Sequence, residues 1–304
     1  MECIIRIYRS LTFIAVISLH STALLATQQA ERPQRPVDRV KSLQQPPPET
    51  THKINGGTEA PAGKYPFQVA LIRSDTPEGR EHFGQFCGGA LIARNWVVTA
   101  AHCVPDTEPT EVDVYVGSVT LPSGNGGTRG GTRLHLSKIV AHQSYVAANH
   151  DNDLAMLKLA QPAPSNLLTA VAATPAVEAA QGVTGKSLNV IGWGATSERG
   201  DTTPKLMEVS VTVQDRQQCE ANYRDVVPNA RITDNMFCAG ELQGLKDSCQ
   251  GDSGGFIGVA RPGGGYDQLG VVSWGIGCAR PGLFGVYTRL AKFEPWLRTI
   301  IATF

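Results

Sequence analysis

Short apolar runs recur from residue 54 to residue 304, and this pattern limits the possible folds more than any other feature of the chain. Residues that favour turns separate the runs, and no long helical pattern lies between them. Such spacing is typical of an all-β sandwich or barrel. Only two helices are predicted, a short one after Asp215 as its N-cap and a C-terminal one from Lys292 to Ile301. The apolar runs are Phe67–Ile72, Ala90–Ala93, Trp96–Ala100, Val112–Val116, Leu154–Leu159, Leu188–Ile191, Val209–Val213 and Leu269–Val272.

The overall charge gives no indication of a polyanionic partner. The 304 residues include 27 Lys and Arg against 27 Asp and Glu, so the formal net charge is zero. Nucleic acid and anionic membranes are therefore not expected as the main partners. The length suits one large domain or two small ones.

The first 26 residues have the layout of a secretory signal peptide. Arg6 and Arg9 precede the apolar stretch Leu11–Leu19, and small residues follow up to Ala26. A membrane anchor is the alternative, but polar residues interrupt the stretch, which is shorter than the roughly 20 residues that a span needs. The sequence therefore predicts a secreted, extracellular protein, or a periplasmic one in a bacterium, with no stable membrane anchor.

Residues 27–53 differ sharply in composition from the rest of the chain. They are rich in Gln, Pro and charged residues, including Pro46–Pro48, and hold too few apolar residues to build a core. This composition predicts a disordered propeptide, and a plain linker is the alternative.

The cysteine count indicates an oxidising compartment. Of the seven cysteines, Cys3 would leave with the signal peptide, so an even set of six remains. An even set favours disulfides, although the sequence alone leaves their pairing open. Zinc is disfavoured because no paired Cys-x-x-Cys spacing occurs, and we expect neither a metal nor a cofactor. The six are Cys87, Cys103, Cys219, Cys238, Cys249 and Cys278.

The glycine-rich stretch Asp247–Gly255 offers a candidate nucleophile, Ser253. Serine is a weak nucleophile without a general base and a group that orients the base. His102 is the candidate base and Asp153 the candidate orienting carboxylate. Each signal is weak alone, since a lone histidine is usually structural, an aspartate before an apolar run is usually a turn or cap, and a Gly-rich string is often a hairpin turn.

Taken together, these three blocks, in the order His, Asp, Ser, resemble the trypsin and chymotrypsin serine endopeptidases. The resemblance extends from Ile54 to Phe304. It implies one protease domain, 54–304, made of two six-stranded antiparallel Greek-key β-barrels, with a boundary near Pro162 to Ala180, the active site between the barrels and a C-terminal helix. Further matching segments are Gly192–Gly194, Asn235–Gly240, Ser273–Gly275 and Gly285–Thr288.

The resemblance also assigns roles to residues. Ser253 would attack the scissile carbonyl, His102 would be the general base, and Asp153, rather than Asp151, would orient it. The backbone N–H groups of Gly251 and Ser253 would form the oxyanion hole. Asp247 would lie at the floor of the specificity pocket and select protein or peptide substrates with Arg or Lys at the cleavage site. Gly275 and Gly285 would form the pocket walls, and Ser273, Trp274 and Gly275 would pair with the substrate backbone.

The family pattern further implies a zymogen. An activating protease would cut after Lys53, and the new α-amino group of Ile54 would pair with Asp252. The propeptide would then be released, since it holds no cysteine. The implied disulfides are Cys87–Cys103, Cys219–Cys238 and Cys249–Cys278. We expect a monomer with protein inhibitors as further partners.

Several residues depart from the family pattern. Asn55 replaces the usual Val, and Phe256 replaces the usual Pro. Residues 114–150 contain no Asp or Glu, so no calcium site is predicted there, and the cysteine set looks closer to bacterial trypsins. The remaining histidines beyond the predicted signal peptide match no catalytic position and are interpreted as surface or packing residues: His52, His82, His135, His142 and His150.

Two other functions are conceivable for this sequence. A catalytically inactive homologue could bind a partner through the same fold, but no triad residue is lost. A chymotrypsin-like specificity conflicts with Asp247.

Overall fold

The computed structural model describes residues 34–39, 57–124, 130–195, 200–244 and 246–304. The predicted signal peptide, Lys53, Ile54 and Asn55 lie outside these ranges. The strands are β1 Thr58–Glu59, β2 Gln68–Arg73, β3 Gln85–Ala93, β4 Trp96–Thr99, β5 Val112–Val116, β6 Thr132–Ala141, β7 Ala155–Leu159, β8 Val171–Ala172, β9 Ser187–Gly192, β10 Met207–Gln214, β11 Met236–Ala239, β12 Phe256–Ala260, β13 Tyr266–Trp274 and β14 Gly285–Arg289. The helices are α1 Pro36–Arg39, α2 Glu81–Gly84, α3 Pro175–Gln181, α4 Arg216–Arg224 and α5 Leu290–Thr303, and 3-10 turns occupy Ala101–Cys103 and Pro109–Glu111.

The first barrel closes in the strand order β2-β3-β4-β7-β6-β5. All of its strand pairs are antiparallel. The runs that the sequence predicts as strands fill its interior, and Trp96, Val97 and Leu157 are almost completely buried. Strand β6 was not predicted from the sequence because it shows no apolar run, and of its residues only Leu136 is buried.

The second barrel follows the order β10-β11-β14-β13-β12-β9 and closes through the pairing of β9 with β10. Strand β1 adds to β10, and β8 runs parallel to the start of β13. The inward residues form a separate core, in which the rings of Phe237 and Tyr287 stack with centroids 5.3 Å apart. The predicted fold, two six-stranded antiparallel barrels with a C-terminal helix, is confirmed.

Helices α3 and α4 follow from capping signals, and only the α4 signal was predicted from the sequence. Asp215 caps α4 as predicted, since its Oδ1 accepts the Gln218 N–H at 2.8 Å. Helix α3 lies between the barrels in sequence and begins with Thr174 as its N-cap and Pro175 in its first turn. Thr-Pro before a short amphipathic stretch was the available signal. No helix within the described ranges is long and apolar enough to cross a membrane.

Phe256, which departs from the family pattern, is fully buried at the start of β12. Its ring lies 4.9 Å from that of Phe67, and Tyr266 packs edge-on against it with centroids 6.1 Å apart. Aromatic pairs at such spacings add to the free energy gained from burial. Because Phe67 precedes β2, this contact joins the second barrel to the first.

The structure describes residues 34–39 of the predicted propeptide, and Pro36–Arg39 in this segment form the short helix α1. The segment lies against β3 and against the turn Ala101–Cys103. Val37 is 1% exposed and belongs to the same core cluster as the first barrel.

Candidate active site

His102 is positioned by the 3-10 turn that follows β4. The disulfide Cys87–Cys103 ties this turn to β3, and the adjoining Ala100 and Ala101 are buried. The predicted pairs Cys219–Cys238 and Cys249–Cys278 are also formed. The imidazole of His102 is therefore carried on a backbone that the barrel core and a covalent bond both hold.

Asp153 is fully buried and binds His102 through both of its carboxylate oxygens. Oδ1 accepts the His102 backbone N–H at 2.8 Å, and Oδ2 lies 2.7 Å from His102 Nδ1. Ser273 Oγ also donates to Oδ2, at 2.5 Å. Burial opposes ionisation of this carboxyl, but the charge and hydrogen bonds of His102 and the Ser273 hydrogen bond together hold the pKa of Asp153 below its ordinary value.

An ionised Asp153 fixes the tautomer of His102. A carboxylate can only accept, so Nδ1 carries the proton and Nε2 of the neutral ring is free to accept one. Asp151 lies in a different environment, since its Oδ1 accepts hydrogen bonds from Thr233 Oγ1 at 2.6 Å and Asn235 Nδ2 at 3.0 Å. The geometry thus distinguishes the two nearby carboxylates.

Ser253 lies on a loop that packs against the start of the His102 turn. Its carbonyl accepts the Gly88 N–H at 2.7 Å. Gly254 has a φ of 80°, and a Cβ there would lie 2.2 Å from Thr99 Oγ1. Only glycine permits both this conformation and this approach. Within the described ranges, no hydrogen bond joins the Ser253 hydroxyl to His102, and such bonds often shorten only when substrate binds.

Gly251 adopts a left-handed conformation two residues before Ser253, with φ at 96°. Its carbonyl accepts Gln85 Nε2 at 2.8 Å, and the neighbouring Gln250 carbonyl accepts the Ala195 N–H at 2.6 Å. A Cβ on Gly251 would lie 3.0 Å from Gly194 Cα. These contacts fix the peptide groups that lead into the serine.

A pocket of about 170 Å³ brings together Asp247, Ser253, Ser273, Trp274, Gly275 and Gly285. The disulfide Cys249–Cys278 joins two of its walls. A Cβ on Gly285 would lie 2.8 Å from Asp247 Oδ1, whereas one on Gly275 would meet no atom closer than 3.7 Å. Glycine is therefore required by packing at 285, while at 275 it keeps the pocket open. A larger cavity of about 670 Å³ beside α4 contains none of these residues.

Asp247 is 6% exposed, and two backbone N–H groups donate to its carboxyl. Oδ1 accepts the Ser248 N–H at 2.8 Å and Oδ2 accepts the Ala279 N–H at 3.1 Å. Burial raises the pKa of Asp247 to about 7, although the two backbone hydrogen bonds act in the opposite direction. A cation in this pocket would find an uncompensated carboxylate.

Asp252, between Gly251 and Ser253, points into the protein rather than into the pocket. Its oxygens accept the Gly194 N–H at 2.8 Å and the Cys249 N–H at 2.9 Å. A Cβ on Gly192 would lie 2.0 Å from Asp252 Oδ1, so the Gly-Trp-Gly segment makes room for the carboxyl. Burial raises the pKa of Asp252 to about 6. No Lys, Arg or His of the described residues forms an ion pair with it.

His150 is a site residue that sequence analysis missed. Its ring is perpendicular to that of His102 with centroids 5.8 Å apart, and it stacks on Trp274 at 6.2 Å. Burial lowers the pKa of His150, which favours the neutral ring. Its position three residues before Asp153 was the only signal in the sequence. His82, His135 and His142 lie elsewhere, and His52 lies outside the described residues.

Two groups in this region offer the ligand types that metals use. Ligand atoms of His102, His150 and Asp153 lie within 4.8 Å of one another, as do those of Cys87, His102 and Cys103. The Asp153 oxygens already accept three hydrogen bonds, and the cysteines form a disulfide. The donor sets therefore fit a hydrogen-bonded carboxylate–imidazole pair better than a metal centre.

The two barrels and a buried carboxylate–imidazole pair beside a serine loop define a two-barrel serine hydrolase. Comparison with known proteins agrees. The family model described as Trypsin matches residues 54–297. Trypsin-2 of Salmo salar is 37% identical over 83% of this chain and 96% of its own length, and Trypsin-1 of Astacus astacus is 37% identical over 81% and 98%.

The chain therefore belongs to the trypsin family of serine endopeptidases. Some relatives are much longer, and the chain spans only 23% of the rat transmembrane protease serine 9, with which it is 35% identical over 85% of its own length. These relatives are animal proteins, and they leave the suggested likeness to bacterial trypsins as a prediction.

Proposed function

We propose that this serine endopeptidase is secreted as a zymogen and, once cut, hydrolyses peptide bonds after Arg or Lys through Ser253, His102 and Asp153. The observation that carries the proposal is the double hydrogen bond from His102 to the ionised Asp153, next to a pocket that holds both Ser253 and Asp247. Proteins and peptides with a basic residue at the cleavage site are the substrates.

The reaction would proceed through an acyl-enzyme. Ser253 Oγ attacks the scissile carbonyl while His102 Nε2 takes the hydroxyl proton, and Asp153 stabilises the imidazolium. The imidazolium gives this proton to the leaving amine as the carbon–nitrogen bond breaks. Water then attacks the ester, again with His102 as base, and Ser253 is regenerated.

The developing oxyanion would be bound by the backbone N–H groups of Gly251 and Ser253. The left-handed φ of Gly251 and the hydrogen bond from the Ala195 N–H to the Gln250 carbonyl support this role, because they fix the orientation of the peptide that carries the Gly251 N–H. Donors already in place require no reorganisation during the reaction, and each contributes about 2.7 to 4 kcal/mol in comparable sites.

Specificity would come from Asp247. Its buried carboxylate is not paired with a cation among the described residues, so an Arg or Lys side chain would supply the missing charge. Gly275 and Gly285 leave space for the long stem. Ser273, Trp274 and Gly275 lie beyond Val271, where the pairing of β13 with β12 ends, so a substrate strand can add along this edge.

Asp252 supports activation by cleavage after Lys53. A buried carboxyl with a raised pKa and no cationic partner among the described residues is destabilising until a positive group arrives. The α-amino group of Ile54, freed by an activating protease, would supply that charge and would lower the pKa of Asp252. The new ion pair between Ile54 and Asp252 would then order the loops around Gly251 and Ser253.

The test begins with the secreted proprotein cut after Lys53 by a trace of immobilised trypsin, which is then removed. Chromogenic peptides ending in Arg, Lys or Phe are assayed beside an identically treated Ser253→Ala variant. Ser253-dependent turnover of the Arg and Lys substrates is expected. No Ser253-dependent turnover would favour an inactive homologue that binds a partner, and turnover of the Phe substrate alone would overturn the specificity.

A further inference from the structure

We propose that residues 34–39 dock on the first barrel and keep the propeptide bound, without a covalent link, after the activating cut. The enzyme would then be a complex of two chains. This inference rests on the proposed zymogen function for the position of the cut, and it replaces the expectation that the fragment is released. The surface that receives the segment consists of Arg73, Asp106 and Glu111.

Arg35 is the centre of the contact, because all five of its N–H donors are used. Nη1 and Nη2 donate to the two oxygens of Glu111 at 3.1 and 2.9 Å, and Nη1 also donates to the Asp106 carbonyl at 2.6 Å. Nε and Nη2 donate to Asp38 at 2.8 and 3.2 Å. A guanidinium engaged by a bidentate carboxylate on each side is a specific arrangement that lysine could not reproduce.

The receiving side is ordered by contacts of its own. Glu111 Oε2 accepts the Glu108 N–H at 2.8 Å, within the capping box of the turn Pro109–Glu111. The hydrogen bond from Arg35 is also the largest influence that lowers the pKa of Glu111. A surface held in this way loses little conformational entropy when the segment binds.

Val37 adds an apolar anchor to the charged one. Its side chain is 1% exposed within the core cluster of the first barrel. Its carbonyl accepts Arg73 Nη1 at 2.8 Å, so the backbone of the segment is fixed at the same point. A buried side chain between satisfied polar groups is the arrangement found at specific interfaces rather than at incidental contacts.

The cut would leave these contacts intact. Lys53 lies 14 residues beyond Arg39, and residues 27–53 contain no cysteine. Cleavage therefore converts an intramolecular contact into a bimolecular one, which lowers the effective concentration but breaks no contact of the segment. Because the fragment lies against the turn Ala101–Cys103, the bound form would remain next to His102.

The experiment uses the Ser253→Ala proprotein, cut as above and analysed by native mass spectrometry and gel filtration. Cleavage after Arg39, Lys41 or Lys53 leaves Gln34–Asp38 intact in the fragment, since trypsin does not cut before Pro36. We expect the fragment to co-elute with the domain. Arg35→Ala and Val37→Asp should each weaken retention at least tenfold, whereas the matched control Gln34→Ala, at an exposed position in the same segment, should change it less than about twofold.

All of these variants are in the fragment, so a failure of the domain to fold cannot explain a loss of binding. A second variant of the proprotein carries an inserted cleavage site for an unrelated protease between Leu43 and Gln44. Cutting at this site makes the docking test independent of the activating cut. If the wild-type fragment dissociates from the domain as fast as the Arg35→Ala fragment does, docking is overturned. If the domain retains the fragment but cleavage at Lys53 yields no Ser253-dependent activity, the proposed function fails and docking stands.

Discussion

Asp153 accepts two hydrogen bonds from His102, one from the backbone N–H at 2.8 Å and one from the ring at 2.7 Å. The carboxylate therefore orients both the turn that carries the imidazole and the imidazole itself. Ser273 supplies a third donor, which shares Oδ2 with the ring of His102.

Asp153→Asn should reduce kcat by roughly 10⁴-fold, because an amide can donate to Nδ1 and stabilise the wrong tautomer. The measurement is steady-state turnover of an Arg substrate by the cut protein. Asp151→Asn is the matched control and should retain activity within about tenfold, since Asp151 bonds Thr233 and Asn235. Equal losses in the two variants would contradict the assignment of Asp153.

Asp247→Asn should lower kcat/KM for Arg and Lys substrates by roughly 10⁴-fold, because the cation of the substrate would be buried without its partner. Turnover of an aromatic substrate should fall far less. The exposed Asp225 offers a control, and Asp225→Asn should leave both values unchanged. An equal loss on all substrates would indicate a damaged fold rather than lost specificity.

The raised pKa of Asp247 predicts that the ligand-free protein loses stability as the pH rises. The Asp247 carboxyl of the native state holds its proton up to about pH 7, whereas that of the unfolded state releases it near pH 3.8. The protonated carboxyl therefore contributes fully to the free energy of unfolding below pH 3.8, and this contribution is lost as the pH rises through 7. Asp247→Asn should remove the Asp247 part of this trend, leave the smaller part due to the raised pKa of Asp252, and raise the free energy of unfolding at pH 8 by about 2 to 4 kcal/mol. Thermal melting of Ser253→Ala protein across pH 4 to 8, with and without Asp247→Asn, measures it.

A cationic probe should show the opposite pH dependence, since only the ionised carboxylate attracts it. The affinity of benzamidine should rise about tenfold per pH unit below pH 7 and level off above. Titration calorimetry at several pH values would measure this affinity. An affinity that does not change with pH would mean that Asp247 is ionised throughout the range.

Gly254→Ala should destabilise the protein and abolish most activity for two reasons. The new Cβ would lie 2.2 Å from Thr99 Oγ1, and a φ of 80° is unfavourable for alanine. Gly263 separates the two effects, as it has a φ of 89° with no atom within 4 Å of its Cβ position. Gly263→Ala should cost about 1 to 2 kcal/mol from the backbone alone. Chemical denaturation of both variants would show whether Gly254→Ala exceeds that value.

The sequence predicts most of what positions the site but little of what depends on long-range packing. Apolar runs predicted β2, β4, β5 and β7, whose residues are mostly buried. They missed the mostly exposed or half-buried β6 and also the buried strands β11, β12 and β14. The pairing of the cysteines required the family resemblance because parity cannot distinguish partners. His150 was missed because its place beside His102 depends on its left-handed backbone, with φ at 57°. No local sequence pattern predicts that conformation. The contact of Arg35 with Glu111 joins residues 76 positions apart, and amino-acid composition cannot predict such a contact.

Asp153 is also held by its backbone, since Thr288 Oγ1 on β14 donates to its carbonyl at 2.8 Å. Together with Ser273 on β13, this places the carboxylate of the first barrel under the control of the second. A displacement of about 1 Å between the barrels would break these hydrogen bonds while the ladders inside each barrel remained intact. Catalytic activity therefore reports the alignment of the two barrels, and under mild denaturation it should vanish before any strand is lost.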